Sequence, residues 1–467
     1  MTVPPDLLLP LLATLTVLVR ESLWLTGLLI LLNAADDLAI DLLTPVALAR
    51  GRLAGLPPPP AVPGRYALLV PAWKEAGVIG PMLRATLARL RHPDFRIFVG
   101  VYPNDPATAS EVAAVAAVDD RVTPVTTSRP GPTTKADCLN HLWRAACAEE
   151  ERSGRRFSAI VLHDSEDLVD PDELAVFDRA LGWAAMVQLP VVPIVGPADS
   201  LVSGHYLDEF ASAHARDMMV RTLLRAPVPS AGVGTAIDRA AMAMLEGPDR
   251  APFNAASLTE DYELGYRIHR LGLSGCMVRH RVGGRLVAVR SYFPDTLPAA
   301  VRQKSRWLLG IALAGWDRLG WTGGPAARWM LLRDRKTVAT SVLAVVTYAV
   351  LALVLLWRGL AALAGLQPAE LALDPASAGG VALRWLMAAL ALVLVWRLLL
   401  RAAFTWRVAG PVQAMLAIPR APVGNLVNAL AALRAMTSYR AELASGQRRA
   451  WDKTAHRFPD LLGRAHG

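Results

Sequence analysis

Two kinds of apolar pattern divide this chain. Long stretches with few charges lie near the N-terminus and in the C-terminal third, and short apolar runs alternate with amphipathic stretches between them. Crossing a bilayer takes about 20 apolar residues, and residues 7–33, 338–357 and 381–400 reach that length. Arg20 and Glu21 interrupt the first, which predicts an interfacial helix leading into a span over 16–33. That stretch has neither a basic leader nor a small-residue cleavage site, so it reads as a retained anchor. Arg384 and Arg397 lie near the ends of the third, where long side chains reach the interface.

Between the spans, residues 66–71, 97–102, 122–125, 159–162 and 186–192 read as short strands. Helical periodicity runs over 77–90, 107–118 and 136–151. Apolar strands alternating with amphipathic helices predict a parallel sheet covered on both faces. Ligands of such sheets bind at the carboxyl ends of the strands. Polar residues gather there: Lys74 and Glu75 after the first strand, Asn104 and Asp105 after the second, Asp164, Glu166 and Asp167 after the fourth. The expected organisation is a membrane anchor over 1–50, a stiff Pro-rich linker over 51–64 and an α/β domain over 65–310. An amphipathic interface segment (311–336), membrane helices (337–400) and a C-terminal tail (401–467) follow.

Composition supports placing part of the mass in lipid, since 53% of residues are hydrophobic and only 19% are charged. A net charge of +9 would admit nucleic acid as a partner, but the arginines are dispersed instead of forming one aromatic-interleaved patch, so none is expected. Arg50, Arg52 and Arg65 follow the first span, and Arg328, Arg333, Arg335 and Lys336 precede the second. By the positive-inside rule, residues 50–336 and the Arg-rich tail face the cytoplasm. Cys138, Cys147 and Cys276 have no metal or redox spacing.

Three polar motifs carry the candidate chemistry. HDSED at 163–167 offers Asp164 and Glu166, a carboxylate pair suited to Mg²⁺ or Mn²⁺ shared with phosphates; it also reads as an acidic turn before a helix near Asp170. TED at 259–261 offers Asp261 as a general base beside Glu260, or a helix start capped by Thr259. QKSRW at 303–307 reads as a membrane-surface helix, or as Arg306 for a diphosphate and Trp307 for a sugar face. Lys135 opens a helix, where anions are favoured. Residues 230–235 (SAGVGT) are flexible enough for a close backbone approach to a substrate.

These residues resemble family-2 glycosyltransferases of the GT-A fold over about residues 65–310. VPAWKE at 70–75 is similar to that family's first-strand element, and Asp105 to its nucleotide-binding Asp. TKADCLN at 134–140 resembles its K-A-G-x-L-N segment, with Asp137 in place of Gly. HDSED, TED and QKSRW follow the order of its D-x-D, E-D and Q-x-x-R-W series, with the longer Glu166 in the second D-x-D position. Within that family, LHDSEDL at 162–168, PSAGVGT at 229–235, SLTEDYELG at 257–265, RDRK at 333–336 and AWDKTAHRFP at 450–459 resemble the phage-adsorption protein B group.

The resemblance implies a GT-A domain with a Rossmann-like mixed sheet, held in the cytoplasm by N- and C-terminal transmembrane helices of a multi-pass bacterial inner-membrane protein. It implies an inverting transferase that moves sugar from a nucleotide-sugar, a UDP-sugar by expectation, to a growing surface or exported glycan exploited by phage. Glu75 and Asp105 would hold the nucleotide. Asp164 and Glu166 would hold Mg²⁺ or Mn²⁺ and the diphosphate, with Lys135 assisting. Asp261 would act as base beside Glu260, and Gln303, Arg306 and Trp307 would close the acceptor end. An outer-membrane export or receptor partner is a further expectation. A cyclic-dinucleotide-binding module of the kind some relatives carry is not expected within these 467 residues, so such regulation would need a separate subunit. The alternatives are single-sugar transfer to a lipid carrier and a non-catalytic membrane scaffold.

Overall fold

The computed structural model describes residues 5–196, 200–247, 249–366, 377–446 and 457–459, with the side chains of 5–9 left aside. Most of the AWDKTAHRFP string therefore lies outside the described residues. Eleven strands are described: β1 (Tyr66–Pro71), β2 (Phe95–Val101), β3 (Val122–Thr126), β4 (Ala159–Leu162), β5 (Met186–Gln188), β6 (Val191–Ile194), β7 (Thr235–Asp238), β8 (Gly275–Met277), β9 (Arg281–Val282), β10 (Arg285–Leu286) and β11 (Val289–Tyr292). The helices of the domain are α2 (Ile79–Arg89), α3 (Pro106–Ala116), α4 (Lys135–Ser153), α5 (Glu173–Ala180), α6 (Leu201–Ala215), α7 (Asp217–Leu223), α8 (Arg239–Met244), α9 (Glu260–Arg270), α10 (Leu297–Leu308) and α11 (Ala314–Leu319). Three long helices frame them: α1 (Pro5–Ala54), α12 (Pro325–Leu363) and α13 (Ala378–Ser445).

Seven strands form one sheet in the order β3-β2-β1-β4-β7-β5-β8. The strands β3, β2, β1 and β4 run parallel, as the alternating pattern predicts, but β7 enters antiparallel to both β4 and β5, making the sheet mixed. Every residue of β1 is buried, because each face of the sheet is covered. Tyr66, Leu68 and Val70 face a core with Met82 and Leu83 of α2, Val112 of α3 and Phe177 of α5. Ala67 and Leu69 face Leu139, Leu142 and Trp143 of α4 and Leu264 and Ile268 of α9. That two-residue alternation is what a strand must show when both faces are apolar.

The run expected as one strand over 186–192 is two. β5 joins the main sheet, whereas β6 pairs in parallel with β11 in a separate two-stranded sheet. Pro190 stands at the break and has no N–H to give a ladder. The side-chain amide of Gln188 donates to the carbonyls of Leu189 (2.8 Å) and Val233 (2.9 Å), which satisfies backbone groups where the strand ends.

α1, α12 and α13 are long and apolar enough to cross a membrane. α1 is one 50-residue helix through Arg20 and Glu21, which form a 2.7 Å ion pair with each other. At 1.5 Å per residue it is ~75 Å long, more than twice the ~30 Å hydrocarbon layer. Its second half packs on α7 and α12. α13 continues past the apolar stretch and bends at Gly410 (φ 83°), which Pro411 follows. Beyond the bend it packs on α6 and α10, with Val427 against Tyr206 and Ala300.

Candidate active site

The residues that follow β1 and β4 and the turn that precedes β7 meet the first turns of α4 and α9 and one face of α10 around a cleft with a cavity volume of about 170 Å³. Glu75, Lys135, Asp164, Glu166, Glu260, Asp261, Gln303, Arg306 and Trp307 all line it. Those residues span most of the domain's sequence, so only the fold brings them together.

The HDSED turn sorts its side chains by alternation. His163, Ser165 and Asp167 are buried, while Asp164 and Glu166 are half-buried at the cavity wall. His163 sits between two carboxylates, with Nδ1 3.0 Å from Asp167 and Nε2 2.8 Å from Glu173. Burial alone would lower its pKa, but the charges of Glu173 and Asp167 push it up to about 10, so both ring nitrogens donate. Asp167 in turn accepts the backbone N–H of Asp164 at 2.9 Å, and the Ser165 hydroxyl donates to the Pro71 carbonyl at 3.0 Å. Three residues of the motif thus build the turn, and two face the cleft.

Lys135 is the first residue of α4, whose Thr134 caps the helix by accepting from Asp137 N–H. Its Nζ lies 2.5 Å from Asp164 Oδ1 and 3.5 Å from the carbonyl of Gly232. Burial disfavours the ammonium, but Asp164, Glu260 and Asp261 outweigh it and raise its pKa, so the charge is retained. Gly232 explains the glycine-rich turn. Its φ is +79°, and a Cβ there would come within 2.5 Å of Asp261 Oδ2 and 3.3 Å of Lys135 Nζ.

Glu260 and Asp261 occupy the first turn of α9. Thr259 precedes them, yet its side chain makes no capping bond and its Oγ1 is buried without a partner among the described residues. Burial first, then the adjacent Asp261 charge, pushes Glu260 up to about 8, with Lys135 opposing. Burial likewise raises Asp261, again against Lys135. Both carboxyls therefore take up protons more readily than ordinary carboxylates, which suits proton transfer.

α10 divides QKSRW by helical spacing. Gln303, Arg306 and Trp307 share the cavity face, and Gln303 Oε1 is buried there without a partner among the described residues. Lys304 points away, bonded to Glu209 of α6 and to Asn428 Oδ1 of α13 (2.8 Å). The motif is at once a cavity wall and a clamp on the C-terminal helix.

Asp105 does not line the cavity. One carboxylate oxygen accepts the Lys74 N–H at 2.6 Å and the other receives Thr108 N–H as the cap of α3. It holds Lys74 in its left-handed conformation (φ 55°) and so presents Glu75. Sequence reasoning missed Phe210 and Phe293. They line the cavity beside Trp307, with ring centroids 5.0 Å apart and Phe210 6.3 Å from Trp307. Phe293 lies in SYFPD, just ahead of QKSRW, and that position was the available signal; Phe210 on α6 has none.

Asp164 and Glu166 supply oxygen donors to a cleft that also presents Lys135, the arrangement in which Mg²⁺ or Mn²⁺ is held by one or two carboxylates and completed by substrate phosphates. No cluster of three or more His, Cys, Asp or Glu side chains able to hold a metal exists among the described residues. The donor set therefore fits a metal shared with a ligand and not a closed structural site.

A doubly covered mixed sheet with acidic motifs at its strand ends defines a GT-A type of domain. The family described as "Glycosyltransferase like family 2" matches residues 63–310. Bacteriophage adsorption protein B of Escherichia coli (strain K12) is 37% identical over 418 residues, covering 85% of this chain and 55% of its own length. Bacteriophage N4 adsorption protein B of Escherichia coli O157:H7 gives the same identity and coverage. The chain belongs to glycosyltransferase family 2, and it spans about half the length of the curated relatives it matches. Among solved structures, the mannosyltransferase PcManGT from Pyrobaculum calidifontis, in complex with GDP-Man and Mn²⁺, is similar at 18% identity and a TM-score of 0.49, over 89% of this chain and 99% of that one.

Proposed function

We propose that this protein is a membrane-anchored inverting glycosyltransferase using a nucleotide-sugar donor. The observation that carries the proposal is the convergence, in one cleft, of two carboxylates suited to metal, a half-buried lysine, the adjacent carboxyls of Glu260 and Asp261 and an aromatic wall.

Asp261 takes the proton from an acceptor hydroxyl, whose oxygen then attacks the anomeric carbon of the donor. The bond to the diphosphate oxygen breaks, and the nucleoside diphosphate leaves with the electron pair. Lys135 and Arg306 neutralise that leaving group. A Mg²⁺ or Mn²⁺ ion on Asp164 and Glu166 supplies further Lewis-acid neutralisation when bound. Glu75, presented by the turn that Asp105 holds, lies at the nucleotide end. Trp307, with Phe210 and Phe293, offers apolar faces to the acceptor sugar. One displacement without a protein nucleophile inverts the anomeric centre.

The basic flanks of the spans support a cytoplasmic domain at the inner membrane. The names of the relatives support a surface or exported glycan that phage exploit, with an outer-membrane partner for export. A second reading is transfer of one sugar to a lipid carrier, because α10 is tied to the part of α13 that continues from a stretch apolar enough to cross a membrane.

Nucleotide release by the detergent-solubilised protein, measured with UDP- and GDP-sugars and Mn²⁺, tests the proposal. Release from one donor, lost in Asp261→Asn, is expected. Full activity in that variant would remove Asp261 as the base, and the length of the product separates chain extension from single transfer.

A further inference from the structure

Arg333, Asp334, Arg335 and Lys336 are consecutive on α12, just ahead of its uncharged stretch. At ~100° per residue Arg333 and Lys336 share one face of the helix, while Asp334 and Arg335 point elsewhere. Arg333 reaches Asp36 of α1 at 2.6 Å and Asp217 of α7 at 2.8 Å, and Lys336 reaches Asp36 at 2.5 Å. The Arg335 guanidinium lies over the rings of Trp316 and Trp321, 4.6 and 4.4 Å from their centroids. These contacts fix α12 against α1 and α11 before the span begins.

Asp334 faces the active-site helix. Its Oδ2 accepts the hydroxyls of Tyr262 and Tyr266, each at 2.8 Å, and its Oδ1 lies 2.5 Å from Arg221 Nη2. Tyr262 is the residue after Asp261, and Tyr266 lies one turn further along the same stripe of α9. Arg221 also donates to the Tyr266 hydroxyl and to the Pro227 carbonyl, both at 3.1 Å, which closes the network. Behind it, Gly265 packs so tightly that a Cβ would lie 2.1 Å from the Val228 carbonyl. Two phenols one turn apart, pulled to one carboxylate, fix both the rotation of α9 about its axis and its position along it.

We propose that Asp334 is a positioning residue for the transfer reaction: from the membrane-anchored α12, through Tyr262 and Tyr266, it sets the direction in which Glu260 and Asp261 enter the cleft. The proposal rests on Asp261 acting as the base. Misplacing a base by about 1 Å can cost up to ~100-fold in rate, without any loss of substrate contacts.

The test compares the full-length wild type with Asp334→Asn, Tyr262→Phe/Tyr266→Phe and Asp261→Asn in detergent. Nucleotide release is followed with UDP-glucose and GDP-mannose as probes and Mn²⁺ present, and backbone hydrogen exchange is followed in parallel. Asp334→Asn and the double Phe variant are expected to lower kcat about ten- to a hundredfold with donor KM within about twofold. Exchange is expected to rise in the first turns of α9 but not in β1, β4 or α4. The double Phe variant keeps the Asp334–Arg221 pair, so it decides the matter if Asp334→Asn does not fold. Wild-type kcat in the double Phe variant, or exchange raised equally across the sheet, overturns the proposal. An active Asp261→Asn instead removes the base assignment itself. If the wild type releases neither nucleotide, exchange decides alone, and unchanged protection in α9 overturns the proposal.

Discussion

Lys135 and Asp164 face each other across the cleft with Nζ 2.5 Å from Oδ1, joining the first turn of α4 to the end of β4. The buried ammonium keeps its charge because three carboxylates surround it. It therefore stands where a diphosphate brings further negative charge. Lys135→Met is expected to lower transfer turnover about 10²-fold, within the range for loss of one preorganised cation or donor. Steady-state nucleotide release measures it, and turnover within a few-fold of wild type would leave Lys135 as a purely structural partner of Asp164.

Metal removal is the second expectation. Chelation should abolish nucleotide release, and Mn²⁺ or Mg²⁺ should restore it. Glu166→Gln should raise the half-saturating Mn²⁺ concentration about tenfold or more, the equivalent of ~1.4 kcal/mol. Undiminished activity in excess chelator would contradict a metal at Asp164 and Glu166.

Gly232→Ala separates catalysis from stability. The left-handed backbone there should cost ~1–2 kcal/mol of stability. The new methyl would also lie 2.5 Å from Asp261 Oδ2, so the base must move. Activity should fall much further than the small drop in melting temperature explains. Near-normal kcat would show that Asp261 need not hold the position seen here.

The acid pair predicts two opposite pH dependences. Glu260 is pushed up to about 8 and Asp261 is raised as well, both by burial, so the base gains its proton above the usual carboxylate range. Turnover should fall on acidification above the ordinary carboxylate range, as the base Asp261 takes up its proton. Stability goes the other way. The folded state binds more protons than the unfolded state between Glu260's ordinary and raised values, so its favourable contribution is full below about 4.5 and is lost as pH rises through about 8, and Asp261 acts in the same direction. A pH–rate profile and unfolding at several pH values check both signs; an acid limb near pH 4 would contradict the raised values.

Neighbouring residues of QKSRW should behave differently. Lys304→Ala leaves the half-buried Glu209 without its cationic partner and removes the bond to Asn428, so it should lower the unfolding temperature. Gln303→Ala should impair transfer with little change in unfolding temperature, because its Oε1 has no bond to lose among the described residues. Thermal unfolding in detergent distinguishes them.

Periodicity and short-range chemistry determine what the sequence alone shows. The apolar strands β1 to β4, the helices between them and the three long apolar helices follow from local spacing, because a residue's face in a strand or helix depends only on its near neighbours. The motifs mark which strand ends are polar, and nine of the ten expected site residues line one cleft. What the pattern leaves open is who meets whom. The antiparallel entry of β7 delivers Gly232 to Asp261, and Pro190 sends β6 to another sheet. Asp105 turns to the Lys74 backbone instead of the cleft because a cap and a left-handed turn claim both its oxygens. Asp334 reaches Tyr262 from a membrane helix far along the chain. Each depends on a partner distant in sequence, whose approach is decided by the packing of whole elements, and no local spacing encodes that choice.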